Sequence, residues 1–67
     1  MQTILGASGQ IGHELAVYLK RDFTDGIRLV SRNPKKVNET DQLHRANLLD
    51  AGDTLRAVEG SDIVYLT

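Results

Sequence analysis

Three glycines spaced three apart, Gly6, Gly9 and Gly12, lie in the stretch Gly-Ala-Ser-Gly-Gln-Ile-Gly, directly behind a short apolar run. Glycines in such a setting let a backbone approach a phosphate. The first permits a tight turn out of a strand. The second removes a side chain where a pyrophosphate must lie, and the third lets the following helix pack closely on the strand. The free N–H groups at the start of that helix then face the anion. Ser8 adds a hydroxyl within reach of a phosphate or a ribose, and Gln10 and Ile11 add backbone donors. The spacing is G-x-x-G-x-x-G, not the G-x-G-x-x-G of the usual dinucleotide fingerprint, and no Lys-Ser or Lys-Thr pair follows to make a P-loop. The reading is a phosphate-binding turn, and the alternative is a tight strand–helix turn with no ligand.

The end of the second apolar run indicates which phosphate. A site for an unphosphorylated ribose offers Asp or Glu there, about 20 residues after the glycines. This chain reads Leu29-Val30-Ser31-Arg32-Asn33, with no acid. A carboxylate bonds a bare 2′-hydroxyl and repels a 2′-phosphate. A guanidinium beside a hydroxyl does the reverse, through its planar fork of donors. Ser31 and Arg32 therefore predict NADP in preference to NAD. Arg32 as a plain surface residue, or stacked on the adenine and indifferent to the phosphate, are the competing readings. Lys35 and Lys36 are close enough to add charge, and the sequence does not choose between them. Asn47 and Leu48 fall at the expected end of a third strand, where the crevice would bring them to the adenine. An asparagine there also commonly bonds its own backbone. Thr67, at the end of the last apolar run, would approach the ribose and pyrophosphate. Tyr65 reads as packed. His13 and His44 have no cysteine or second histidine at ligand spacing, so both read as non-ligands.

The elements that must position these residues follow from apolar spacing. A strand is expected over Thr3 to Leu5, starting at Gln2. Ile11, Leu15 and Leu19, with Ala16, form a helical stripe over about Gln10 to Lys20. Lys20 and Arg21 suit the negative end of that helix. Phe23 should fold back onto it. Ile27 to Val30 predict a second strand, and Pro34 a short helix toward Glu39. Leu43 to Leu48 give a weak third strand. Asp50 should cap a helix from Ala51 to about Val58, with Leu55 and Val58 facing inward and Gly60 closing it. Ile63 to Leu66 is a continuous apolar run, as expected for a strand covered on both faces. Strands alternating with helical segments predict an α/β fold with a parallel sheet and right-handed crossovers.

With 67 residues the chain has room for one small core, burying roughly 60% of its unfolded surface. A net charge of −1 gives no basic field for nucleic acid. No stretch has the length of a membrane span, and no basic leader marks a signal peptide. The absence of cysteine fits a reducing, cytoplasmic setting. Nothing follows the last strand to cover it. The expectation is thus an incomplete dinucleotide-binding domain over residues 1–67, the first part of a larger three-layer domain. Were the chain complete, its bare sheet edge would invite association with another copy.

The glycine stretch, Ser31-Arg32, Asn47-Leu48-Leu49-Asp50 and the segment Ala57 to Leu66 together resemble the start of the short-chain dehydrogenase/reductase superfamily, in its extended or atypical branch. That branch includes epimerases, dehydratases and NAD(P)H-binding reductases. The resemblance implies a Rossmann-like fold. It implies that Gly6, Gly9 and Gly12 hold the cofactor, that Arg32 meets the 2′-phosphate, and that Asn47-Leu48 replaces an Asp-containing adenine contact. The family's Tyr-x-x-x-Lys pair is missing, since Asp22 stands four residues after Tyr18 and no lysine follows Tyr65. No catalytic residue is assigned. The expected function is the NADP-binding portion of an NAD(P)-dependent oxidoreductase or epimerase/dehydratase acting on a small molecule. The alternative is a non-enzymatic NADP-binding sensor. The segment by itself is expected to be inactive.

Overall fold

Strand and helix alternate along the chain except after the second strand, where a loop leads directly to the third. The computed structural model describes residues 1–67 and contains strands β1 (Gln2–Leu5), β2 (Ile27–Ser31), β3 (Gln42–Arg45) and β4 (Ile63–Leu66), with helices α1 (Gln10–Asp22) and α2 (Ala51–Ala57). All strand pairs are parallel, in the order β3-β2-β1-β4. β1 lies centrally, with Leu5 opposite Val30 on one side and Leu66 on the other. The chain therefore leaves β1 where the strand order reverses, between β2 and β4, and a ligand crevice forms at such a point in open parallel sheets.

Side chains alternate across the sheet and divide the core in two. Ile4, Ile27 and Leu29 pack with Ala7 and with Ala16 and Leu19 of α1. Leu5 and Val30 face the other way, toward Ala46 and Ala57 of α2. The result is the three-layer α/β arrangement predicted from the sequence. Arg28 fastens α2 to the sheet, donating to the Ala57 and Glu59 carbonyls at 2.9 and 2.8 Å. These carbonyls lie at the helix end, where backbone acceptors lack partners and a cation is favoured. Asp50 caps the other end, accepting from the Asp53 amide at 3.0 Å, and Gly60 takes the positive φ of +73° that the turn after α2 requires.

Several expectations need correction. α1 runs on to Asp22. Phe23 does fold back onto it as expected, its ring tilted 59° to that of Tyr18 with centroids 5.4 Å apart. Ile11 does not join the buried stripe but is 72% exposed; Gly12, Ala16 and Leu19 form the inward face. No helix forms between Pro34 and Glu39. A loop replaces it, organised by the buried Asp41 carboxylate, which accepts from the Val37 and Asn38 amides at 3.2 and 2.7 Å. The Asn38 side-chain amide in turn donates to the Ala16 carbonyl of α1, and Val37 packs against the α1-side core. β3 is shorter than expected and ends at Arg45, so Asn47 and Leu48 lie in the turn beyond it. α2 ends at Ala57, with Val58 as its C-cap packed against the second core, while Leu55 points to solvent at 69% exposure. β4 is an edge strand with Ile63, Val64 and Leu66 all exposed, so it is not covered on both faces.

Candidate functional site

Gly6 leaves β1 with φ +79°, a conformation that a side chain would strain. Its amide and that of Ala7 both donate to the Val30 carbonyl, at 2.9 and 3.1 Å, pinning the turn to the end of β2. Gly12 is a close approach. A Cβ there would fall 2.8 Å from Ala7 Cα, so helix and turn touch backbone to backbone. Gly9 differs from both. A Cβ there would meet nothing nearer than the Gly6 carbonyl oxygen at 3.9 Å, so the space over Gly9 is open.

Gly9 is also the N-cap of α1, makes no side-chain cap, and is followed by no acid in the first turn. The amides of Ser8, Gln10, Ile11 and Gly12 donate to no backbone acceptor within the chain. Unsatisfied amides at the positive end of a thirteen-residue helix, with no carboxylate competing for them, form an anion cradle. The residues present therefore fit a pyrophosphate, and a side chain on Gly9 would project into its space.

The cradle opens into a cleft of about 600 Å³. Ala7, Ser8 and His13 line it from the glycine turn and the start of α1, and Ser31, Arg32, Asn33, Lys35, Lys36 and Val37 from the end of β2 and the loop beyond. The Ser8 hydroxyl donates to that of Ser31 at 2.7 Å and joins the two sets. No carboxylate lines this cleft. A second cleft of about 460 Å³ adjoins it, sharing Arg32 and Asn33 and adding Arg45, Ala46, Asn47 and Asp53. Arg32 thus stands between the two.

The other expected site residues are placed as follows. The Asn47 side-chain oxygen accepts from the Leu49 amide at 3.0 Å, the local turn bond open to an asparagine at this point. Leu48 is half-buried against the α2-side core. Thr67 donates its hydroxyl to the Leu5 and Gly6 carbonyls, both at 3.0 Å, and so seals the β4 side of the glycine turn. Gln10 and Ile11 are exposed on the first turn of α1, and the Gln10 amide reaches Glu14 at 3.5 Å. Tyr65 is packed against the core and donates to Gln2 at 2.9 Å.

Sequence reasoning missed His13, Arg45 and Asp53 as cleft residues. His13 follows the third glycine directly, and its sequence spacing speaks only to metal ligation. Arg45 is carried to the cleft by the early end of β3. Asp53 accepts from the Asn47 amide at 3.1 Å and from Arg56 at 2.6 Å, and these bonds hold its carboxyl below the ordinary carboxylate range. It is ionised at neutral pH and shapes the floor of the second cleft.

Known structures share this arrangement. An NADPH-dependent quinone oxidoreductase from Escherichia coli superposes with a TM-score of 0.81 at 26% identity, over 98% of this chain and 26% of its own. A short-chain dehydrogenase/reductase from Veillonella parvula gives 0.79 at 29% identity, over 97% of this chain and 33% of its own. The chain thus spans a third or less of the length of either. No curated protein matches it. No helix is long and apolar enough to cross a membrane. The NAD(P)H-binding family matches residues 6–67, from the first glycine of the cradle to the threonine that seals it, and the chain belongs to that family.

Proposed function

We propose that residues 1–67 are the NADPH-binding part of an oxidoreductase, with NADP preferred to NAD. The observation that carries this reading is the lining of the larger cleft: Arg32, Lys35 and Lys36 with the Ser8 and Ser31 hydroxyls, and no carboxylate. A 2′-phosphate carries close to two negative charges at neutral pH and seeks such a lining. A bare ribose gains nothing from three cations. That the similar E. coli enzyme is NADPH-dependent supports the same choice, and its being an oxidoreductase favours oxidoreduction over epimerase or dehydratase chemistry.

In this reading Gly6, Gly9 and Gly12, with the amides of Ser8, Gln10 and Ile11, hold the pyrophosphate. Ser31 and Arg32 hold the 2′-phosphate. The Asn47 side chain and the Leu48 backbone meet the adenine, and Thr67 flanks the ribose beside the pyrophosphate. Bound NADPH supplies a hydride from its nicotinamide ring. The residues described here bind and orient the cofactor, and the substrate is met by residues outside them. The segment alone binds without turnover.

The test is a titration of the chain with NADPH and with NADH at matched ionic strength. NADPH is expected to bind more tightly. Arg32→Ala should remove most of the preference, costing about tenfold in NADPH affinity, as for a charge-assisted bond of about 1.5 kcal/mol, while NADH binding stays the same. Equal binding of both cofactors by the unmodified chain would retain the glycine cradle and eliminate the role of Arg32.

A further inference from the structure

We infer that His13 is a specificity-determining residue for the 2′-phosphate and makes the preference for NADPH pH-dependent. The inference rests on the NADP reading above and deepens it. His13 lies on the first turn of α1 and is exposed. It lines the same cleft as Arg32, Lys35 and Lys36. An imidazole generally changes charge within about pH 5 to 8, whereas guanidinium and ammonium groups generally do not. The groups that bear on His13 are these three cations from the β2–β3 connection and, on its own helix, Glu14, whose carboxylate is engaged by Gln10 at 3.5 Å. No carboxylate lines the cleft to pair with a protonated His13, so the partner it lacks within the chain is an anion. A phosphate seated in the cleft meets three cations while His13 is neutral, and a fourth once His13 is protonated.

The sign follows by linkage. Protonation of His13 favours the phosphate, so the phosphate raises the proton affinity of His13, and the His13 contribution fades as pH rises. The ligand titrates as well. A phosphate monoester takes up its second proton near pH of about 6, which weakens its own binding on the acid side. These two effects oppose each other in the unmodified protein. Comparison with His13→Gln at each pH cancels the ligand's part, because both proteins bind the same NADPH.

The experiment is a titration of the chain and of His13→Gln with NADPH and NADH at pH 6.0 and 8.0 and constant ionic strength, with circular dichroism to confirm that both are folded. At pH 6.0 the unmodified chain should bind NADPH about two- to fivefold more tightly than His13→Gln, the range for an exposed ion pair. At pH 8.0 the two should converge, and NADH binding should be the same for both proteins at both pH values. If the unmodified chain prefers NADPH but His13→Gln matches it at pH 6.0, the role of His13 is overturned and the NADP reading stands. If the unmodified chain shows no preference for NADPH at either pH, both fall together.

Discussion

A Cβ on Gly9 would find open space, whereas one on Gly12 would fall 2.8 Å from Ala7 Cα. This separates the two glycines by function, although the sequence presents them alike. Gly9→Ala creates no clash, and its φ of −79° suits any residue. Its thermal midpoint should stay close to that of the unmodified chain, because a less flexible unfolded chain gains up to about 1 kcal/mol while alanine is a poorer N-cap than glycine by a similar amount. NADPH affinity should nevertheless fall by about tenfold or more, equivalent to about 1.4 kcal/mol, because the methyl occupies the space of the pyrophosphate. Gly12→Ala sets two effects against each other. Alanine gains about 1 kcal/mol of helix propensity over glycine. Overpacking against rigid backbone costs about 1–3 kcal/mol, and here it dominates because Ala7 Cα cannot swing aside. Gly12→Ala should lower the melting temperature, and Gly9→Ala should not. Melting curves and NADPH titrations of the two variants make the comparison. Unimpaired binding by a stable Gly9→Ala chain would mean that the turn is only a turn.

The loop between β2 and β3 stands where a helix was expected, and it carries Lys35 and Lys36 to the cleft. Asp41, 4% exposed, holds the loop by accepting two backbone amides, and Asn38 ties it to the Ala16 carbonyl of α1. Asp41→Ala leaves those donors without their charged acceptor and should cost about 2–3 kcal/mol. It should also weaken NADPH binding more than NADH binding, since only the phosphate preference draws on the loop lysines. Denaturant unfolding gives the first effect, and the paired titrations give the second. A loss shared equally by both cofactors would mean that the loop supports the fold but not the phosphate. The same loop marks the limit of what the sequence reveals. β1, α1, β2 and the Asp50-capped α2 are legible because each is fixed by local spacing or a local cap. Pro34 followed by polar residues reads locally as the first turn of a helix. The bonds that decide otherwise run from Asn38 to Ala16, twenty-two positions apart. Ile11 and Leu55 fit a helical stripe but face solvent, since periodicity identifies a face without saying how wide the neighbouring element is. In the site, the strand–helix turn at the glycines and the place of Arg32 at the end of β2 are legible from residue type and position. His13, Arg45 and Asp53 reach their clefts through the end of β3 and the packing of the loop, which only the fold determines.

At the scale of the whole molecule, two small cores must hold a four-stranded sheet whose edge strand β4 leaves Ile63, Val64 and Leu66 exposed. Apolar surface left in water contributes nothing to folding, so stability rests on the β1–β2 centre and the two helices. A domain of this size is marginal, and that makes bound cofactor visible as stability. A ligand that binds only the folded chain, present at a hundred times its dissociation constant, adds about 2.7 kcal/mol. For a domain of about 60–100 residues each kcal/mol moves the melting temperature by roughly 4–8 °C, so saturating NADPH should raise it by about 10–20 °C. At the same concentration NADH should raise it by less, in proportion to its weaker binding. Thermal melts with each cofactor over a concentration series measure both. The shift must also grow with the logarithm of ligand concentration, which a nonspecific salt effect of the added anions would not do once ionic strength is held constant. An equal rise with NADPH and NADH would localise the binding energy to the glycine cradle and α1. A rise with NADPH that collapses in Arg32→Ala would assign the excess to the β2 end of the sheet. The melting temperature of the whole chain therefore resolves which half of the crevice selects the cofactor.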